Sequence, residues 1–321
     1  MTEEDRGPAP WAPLEPAATA APTAPRPAPL PWESPYSGPP KAGDTRTGPL
    51  PLHPMTLSDI LDGAFKLLKA NWRTLLLITA AFVVPLNLVS AFVQRNLYSG
   101  RSFFDAVTNP TVQSSTADSS NARLVVTGVV ALIGLLIAPF VAGAISKVVA
   151  ASYLGGEETV GSALRATGRK TGSLLGAWFL VHVLELIGGA LCVLPGLLFM
   201  ALFVAVAPAI VIEDLGVIRG MRRSWRLTAP RLFPVLGVAL VAGLLAGAVG
   251  NALGAVPTFV ALLVGLKYAW PLLAAGSILS ALITTPFVAI VATLLYFDGR
   301  IRQEGFDLQV MADELARRPA Q

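Results

Sequence analysis

Six long apolar stretches constrain the fold of this chain more than any other feature. They lie at Trp72–Val93, Leu124–Ile145, Gly172–Leu191, Leu194–Ile212, Leu232–Gly254 and Pro271–Phe297. A hydrocarbon core about 30 Å thick takes about 20 residues of helix, and lipid offers no partner to an unpaired backbone group. With 54% hydrophobic and only 14% charged residues, the chain is too apolar for an ordinary soluble domain. The sequence predicts an all-α polytopic membrane bundle of about six transmembrane helices.

The end of the fifth stretch is ambiguous. Apolar residues resume at 255–266, shortly after the polar Asn251. At this point it stays open whether residues 255–270 span the membrane, re-enter it or lie at its interface.

Two terminal segments differ from the apolar part of the chain. Residues 1–54 hold 15 of the 26 prolines, so we expect a disordered cytoplasmic tail with polyproline character that can bind a protein partner. Residues 311–321 are expected to form a flexible C-terminal tail. The six-span membrane domain is therefore predicted at residues 55–310.

The distribution of lysine and arginine predicts the orientation. If both termini lie inside, 20 of the 24 basic residues fall on the cytoplasmic side, and only Arg95, Arg101, Arg123 and Lys267 fall outside. Cytoplasmic loops of membrane proteins carry such an excess of positive charge. We expect a multi-pass protein with both termini in the cytoplasm.

An internal repeat is visible where the odd-numbered spans begin. The segment Met55–Trp72 has apolar residues on one face of a helix, and Thr56 with Asp59 forms a capping-box pattern at its start. Aligned without gaps, Ala64-Phe65-Lys66 matches Ala163-Leu164-Arg165 and Ser224-Trp225-Arg226, and Leu75-Leu76 matches Leu174-Leu175 and Val235-Leu236. The sequence predicts three repeats, each a surface amphipathic helix followed by a transmembrane hairpin.

Basic residues concentrate on the second and third surface helices. The candidates for contact with lipid headgroups, or for fixing the topology, are Arg165, Arg169, Lys170, Arg219, Arg222, Arg223, Trp225, Arg226 and Arg231. Trp225 is predicted to anchor its helix at the interface. The arginines either bind anionic headgroups or do no more than enforce orientation. Helices that lie flat between spans are poorly placed to bind nucleic acid, so no nucleic-acid partner is expected.

A few polar residues are predicted inside the membrane. His182 and Glu185 share a face of the third span, and Asn87 and Asn251 are expected in the same layer. These residues form either a structural hydrogen-bonded group or a site for a proton, an ion or a substrate. One histidine and one glutamate are too few ligands for a metal, so neither a metal nor a cofactor is expected.

The end of the sixth span carries a mixed-charge patch. It consists of Asp298, Arg300, Arg302, Glu304 and Asp307. The patch either pairs with the surface helices, binds a cytoplasmic partner, or is the solvated face of a helix. No zinc-protease HExxH, GxSxG, Walker A loop or dinucleotide-binding GxGxxG is present, so no catalytic residue is predicted and an enzyme is not expected.

Three segments carry a family resemblance. TLSDILDGAFKLLKANW, EDLGVIRGMRRSWRLTAPRLF and LYFDGRIRQEGFDL resemble the multi-pass membrane domain associated with glycerophosphoryl diester phosphodiesterases. The resemblance covers residues 55–310 and implies a bacterial cytoplasmic membrane. In those enzymes a separate soluble barrel carries the hydrolytic residues, and no such barrel is expected here, so no catalytic residue is transferred.

Three classes of function follow from these observations. The first is a non-enzymatic membrane protein that organises or binds lipids or protein partners at the cytoplasmic face. The second is a transporter or channel that uses the intramembrane polar residues. The third, a membrane-bound lipid-processing enzyme, requires several ionisable residues that converge at the headgroup level.

Overall fold

The computed structural model describes residues 53–94, 121–264 and 270–310. The predicted tails, 311–321 and all but the last two residues of 1–54, lie outside these ranges, as does the polar loop at 95–120. Within the described ranges all regular structure is helical.

The helices follow one another with short connections. In chain order they are α1 Leu57–Ala70, α2 Trp72–Gln94, α3 Asn121–Tyr153, α4 Val160–Gly168, α5 Thr171–Leu191, α6 Val193–Phe203, α7 Val206–Ile212, α8 Val217–Thr228, a 3-10 turn Ala229–Arg231, α9 Leu232–Val264 and α10 Trp270–Glu304. A further helical turn occupies 306–310.

Six helical segments of the described chain are long and apolar enough to cross a membrane. They are α2, α3, α5, the pair α6 and α7, α9 and α10, which confirms the predicted six-span helical bundle. Two helices extend well past their apolar segments, since α3 continues to Tyr153 and α10 to Glu304. In the ambiguous segment, residues 255–264 continue α9, which runs through Pro257 without interruption. Residues 265–269 lie outside the described ranges.

The repeat predicted from the sequence is present in the structure. The first spanning helix of each unit begins at an aligned position, namely Trp72, Thr171 and Leu232. The aligned Ala64, Ala163 and Ser224 are all fully buried, as are Leu75, Leu174 and Val235, whereas Lys66, Arg165 and Arg226 are exposed. The three units are therefore α1–α3, α4–α7 and α8–α10.

The local start of the first unit also follows the sequence. The Thr56 amide donates to Oδ2 of Asp59 at 2.8 Å, and the Asp59 amide donates to Oγ1 of Thr56 at 3.3 Å. This is the predicted capping box. It satisfies two backbone donors at the start of α1 and holds the pKa of Asp59 below its usual value, because the Thr56 amide hydrogen-bonds the charged carboxylate.

The units interlock in a closed ring. Each surface helix packs on the second span of another unit: α4 on α3, α8 on α6 and α7, and α1 on α10. The rings of Phe65 in α1 and Phe287 in α10 lie 5.1 Å apart at this last contact. The third unit thus closes onto the first, and α10 also packs along α2.

One polar bond closes each unit at an aligned position. The residue just before the first span is bonded to a residue near the end of the second: Asn71 to Ser152, Lys170 to Asp214, and Arg231 to Asp298. The three distances are 2.8, 2.9 and 3.1 Å. All three bonds therefore lie at the same end of the bundle, which we call the polar end.

Candidate functional site

Helix α8 lies at the polar end and has two contrasting faces. Its inward face is buried and consists of Gly220, Met221, Arg223, Ser224, Leu227 and Thr228. Its outward face carries the exposed Arg219, Arg222, Trp225 and Arg226. Gly220 permits the close approach of the inward face, because a Cβ there would overlap Cγ1 of Ile210 in α7.

Arg223 is the centre of an ion-pair cluster on the inward face. Its side chain is only 8% exposed. Its Nε donates to Oε1 of Glu213 at 2.7 Å, and its Nη2 donates to Oε2 of Glu304 at 2.8 Å. The Tyr296 hydroxyl also donates to Oε1 of Glu213, at 2.6 Å, and Arg300 donates to Glu304. The cluster joins the loop before α8 to the end of α10.

The position of Arg223 corrects one sequence prediction. Arg223 was grouped with the candidate headgroup residues, but its guanidinium is enclosed and neutralised by two carboxylates. The physical reason is that Glu213 and Glu304 converge at the polar end, where Arg300 approaches Glu213 only to 4.0 Å, so that Arg223 supplies the close counter-charge to both carboxylates. Helical spacing alone could not reveal this, because both acidic partners come from other elements.

A second cluster surrounds Asp298, which is buried. Asp298 accepts hydrogen bonds from Nε of Arg302 at 2.8 Å, Nη1 of Arg231 at 3.1 Å and the Met55 amide at 2.8 Å. Nη2 of Arg302 also donates to the Met55 carbonyl, at 2.8 Å. Pairing with the surface helices was one alternative for the C-terminal charged patch. In the structure, Glu304 pairs with Arg223 of α8, and Asp298 and Arg302 bond the segments next to α1 and α8.

The remaining basic candidates differ in their surroundings. Arg165, Arg169, Arg219, Arg222 and Arg226 are exposed and make no ion pair with a described residue. Lys170 donates to both the carboxylate and the carbonyl of Asp214, each at 2.9 Å. That hydrogen bond from Lys170 holds the pKa of Asp214 below its usual value. The free positive charge therefore lies on the outward faces of α4 and α8.

The span predicted at Leu194–Ile212 is present as Val193–Ile212, the second span of the middle unit, but it is interrupted at residues 204–205. Helix α6 ends at Phe203 and α7 begins at Val206. Pro208 has no amide hydrogen to offer the carbonyl of Val204, four residues before it. The break is covered by α8: the hydroxyls of Ser224 and Thr228 both donate to the carbonyl of Leu202, each at 2.8 Å.

His182 and Glu185 lie together, as their spacing predicts. Nε2 of His182 is 3.9 Å from Oε2 of Glu185, and Nδ1 of His182 lies 3.0 Å from the carbonyl oxygen of Trp178. Both side chains line a cavity of about 280 Å³ between α3, α5 and the interrupted span. The His182 side chain is 47% exposed, so this cavity is open at its histidine end.

The other two polar residues do not join them. Asn251 lines a larger cavity of about 620 Å³ between α3, α7, α9 and α10. Asn87 donates to the carbonyl of Val83 at 2.8 Å and lines neither cavity. Because α2 packs chiefly on α3 and α10, Asn87 is kept away from α5, and a shared layer of the four residues stays a prediction.

Among the described residues, no three His, Cys, Asp or Glu side chains lie close enough together to hold a metal ion. The acidic residues of the two clusters at the polar end are occupied by arginines. These parts of the described chain offer exposed cations on the outward faces and a cavity with few polar groups.

The comparisons with known proteins give one partial match. A family described as "Domain of unknown function (DUF7847)" matches residues 182–296, from His182 in α5 to Tyr296 in α10. No curated protein and no solved structure matches the chain. The matched region includes α8, the interrupted span and part of the lining of both cavities, but it omits the whole first unit and with it the α3 side of each cavity.

Proposed function

We propose that this chain is a non-enzymatic integral membrane protein that binds anionic lipid headgroups at the cytoplasmic membrane face, where it organises lipids or protein partners. The outward face of α8 carries the proposal. Three exposed arginines, Arg219, Arg222 and Arg226, surround the half-exposed Trp225, and none of the three makes an ion pair with a described residue. This face is held outward by the buried contacts on the opposite side of the helix.

The energetics favour a lipid surface. Each basic residue near an anionic membrane contributes about 1 kcal/mol of attraction. The planar guanidinium group binds phosphate with two parallel hydrogen bonds, and tryptophan prefers the interface. The exposed Arg165 of α4 and Arg169 just after it add positive charge in the second unit.

The location is part of the proposal. The excess of basic residues on one side supports an orientation with both termini in the cytoplasm. The resemblance of residues 55–310 to the membrane domain associated with glycerophosphoryl diester phosphodiesterases supports a bacterial cytoplasmic membrane. That resemblance transfers no diesterase activity.

Lipid retention after purification tests the proposal. The full chain is purified in mild detergent from membranes containing phosphatidylglycerol, and retained lipids are quantified by mass spectrometry. Replacing Arg219, Arg222 and Arg226 by Gln should remove about 3 kcal/mol of attraction, and most of the retained anionic lipid with it. The matched variant with Lys at the same three positions keeps the charge and should retain most of it. Equal retention by all three proteins would contradict the proposal.

A second function has its own observation. The cavity at His182 and Glu185 adjoins an interrupted span, and broken helices beside intramembrane sites are typical of secondary transporters. A transporter predicts that a double replacement, His182→Leu with Glu185→Gln, abolishes a solute flux in proteoliposomes while lipid retention is unchanged. The α8 arginine variants should show the opposite pattern.

A further inference from the structure

The two cavities adjoin at the interrupted span. They share four lining residues, Ala138 and Ala142 of α3 with Val204 and Ala207 of the interrupted span. Three of these side chains are methyl groups, so the side chains at the junction are small. We call the two adjoining cavities the cleft; its smaller part contains His182 of α5, and its larger part contains Asn251 of α9.

The size and lining of the cleft suit a small ligand. The larger part holds about 620 Å³, within the range of roughly 300–1,000 Å³ typical of small-molecule sites. Most lining side chains are apolar. The polar ones are His182 and Glu185 in the smaller part, and Ser146, Asn251, Ser280, Thr284 and Thr285 in the larger part. An elongated molecule with an apolar body fits this distribution better than a compact polar solute.

Glu185 is the residue at which the polar head of such a ligand would bind. Its side chain is 26% exposed and makes no hydrogen bond with a described residue, since 3.9 Å to His182 is too long for one. A carboxylate within a spanning helix requires a partner, because lipid does not solvate it. A ligand that donates hydrogen bonds or carries positive charge would supply that partner.

The charge of the ligand follows from the lack of basic residues in the lining of the cleft. No lysine or arginine lines either part of the cleft among the described residues. An anionic head would meet Glu185 without a counter-charge, whereas an ammonium head would pair with it. The cleft thus favours a cationic head, whereas the outward face of α8 favours an anionic one.

We propose that this cleft binds a single-chain amphipathic amine. The ammonium head pairs with Glu185 beside His182, and the alkyl chain passes Ala138 and Ala142 into the larger part of the cleft. The cleft is open beside His182, which belongs to the spanning helix α5. The ligand therefore enters from the bilayer. This site is independent of the headgroup surface on α8.

Photoaffinity labelling tests the proposal. The full chain in lipid nanodiscs is exposed to a long-chain alkylamine with a diazirine at the end of its chain, and labelled peptides are identified by mass spectrometry. Labels are expected on α9 and α10 around 246–251 and 280–289. Excess unlabelled amine should remove them, and a fatty acid of the same length should not.

Three variants separate specific binding from partition into lipid. Glu185→Gln keeps the shape and should reduce labelling about tenfold, as expected for one lost hydrogen bond to a charged group. Ala142→Leu should block the chain and remove the labels on α9 and α10. Asn87→Leu lies outside the cleft and serves as the control with wild-type labelling.

Several outcomes would overturn the proposal. These are equal labelling of the same peptides by the fatty acid, unchanged labelling of Glu185→Gln, or labels spread evenly over all spans. If Glu185→Gln does not elute as a folded protein, two other results test the proposal: competition by unlabelled amine and by fatty acid in the wild type, and the labelling of Ala142→Leu. The α8 arginine variants should keep full amine labelling, so failure of the headgroup proposal and of this one are distinguishable.

Discussion

Helices α4 and α8 occupy the same place in the repeat but have different contacts. Each packs on the second span of the preceding unit, through Ala163 and Thr167 in α4 and through the aligned Ser224 and Thr228 in α8. Thr167 donates to the carbonyl of Ala163 in its own helix, and the aligned Thr228 likewise lies 2.9 Å from the carbonyl of Ser224. The difference is that the hydroxyls of Ser224 and Thr228 also reach the Leu202 carbonyl across the interface, each at 2.8 Å. The span below α4 is continuous, and the one below α8 is interrupted. A repeat thus keeps its packing while one copy acquires polar contacts and an adjoining cleft.

Among the changes that test this comparison, removal of Arg223 should lower the unfolding temperature most. Arg223→Met removes the close partner of Glu213 and Glu304 and leaves them only Arg300, at 4.0 and 3.3 Å, so the cost should be at or below the about 3–5 kcal/mol of breaking a fully buried pair. We expect a large fall in the unfolding temperature of the detergent-purified protein, measured by differential scanning fluorimetry. The exposed Arg222→Met, on the outward face of the same helix, should change it little. A stable Arg223→Met protein would contradict the role of this cluster.

Addition of a Cβ at Gly220 should give the next largest fall in unfolding temperature. Gly220→Ala places a methyl group on Ile210, and overpacking of this kind costs about 1–3 kcal/mol. In α4, Gly161 has open space around it, so Gly161→Ala should be neutral or slightly stabilising. The same fluorimetric measurement checks both, and equal effects at the two positions would show that α8 is not packed more tightly than α4.

The two hydroxyls that reach Leu202 should act together. Ser224→Ala or Thr228→Val alone leaves the carbonyl one donor, so each should cost about 1 kcal/mol or less. The double variant leaves a buried carbonyl without either hydroxyl and should cost more than the sum of the two. Thr167→Val in α4 removes only a bond within its own helix and should cost less than the double variant. Additive effects would mean that another group replaces the lost donors.

The smallest expected effect concerns pH and the bond between Lys170 and Asp214. The folded pKa of Asp214 is lowered, so its contribution is fully present above the unfolded value of about 3.8 and is lost as pH falls through the folded pKa. The difference in unfolding temperature between wild type and Lys170→Met should therefore shrink on acidification. A remainder should persist, because Lys170 also bonds the Asp214 carbonyl, which does not titrate. A difference that grows at low pH would contradict this sign.

Local signals explain what the sequence could predict. The spans follow from hydrophobicity, the capping box from Thr56 and Asp59, and the repeat register from apolar positions such as Leu75 and Leu174. The burial of Arg223 could not be predicted, because its partners lie 10 and 81 residues away. The interruption at Val204 had one signal, Pro208, but prolines also occur inside the continuous α3 and α9. The cleft depends on how α3 and the interrupted span pack, which no single-sequence pattern encodes.

The closed ring of units has a consequence for biogenesis. Helix α1 is among the first parts of the membrane domain to be synthesised, yet its packing partner α10 is the last. Until α10 is inserted, the inner face of α1 and the Met55 backbone lack the contacts that Asp298 and Arg302 provide. The first and last elements of the domain also end side by side at the polar end. A circular permutant that joins them by a short linker and opens the chain between two units would preserve every contact of the ring, and would change only the order in which the units enter the membrane.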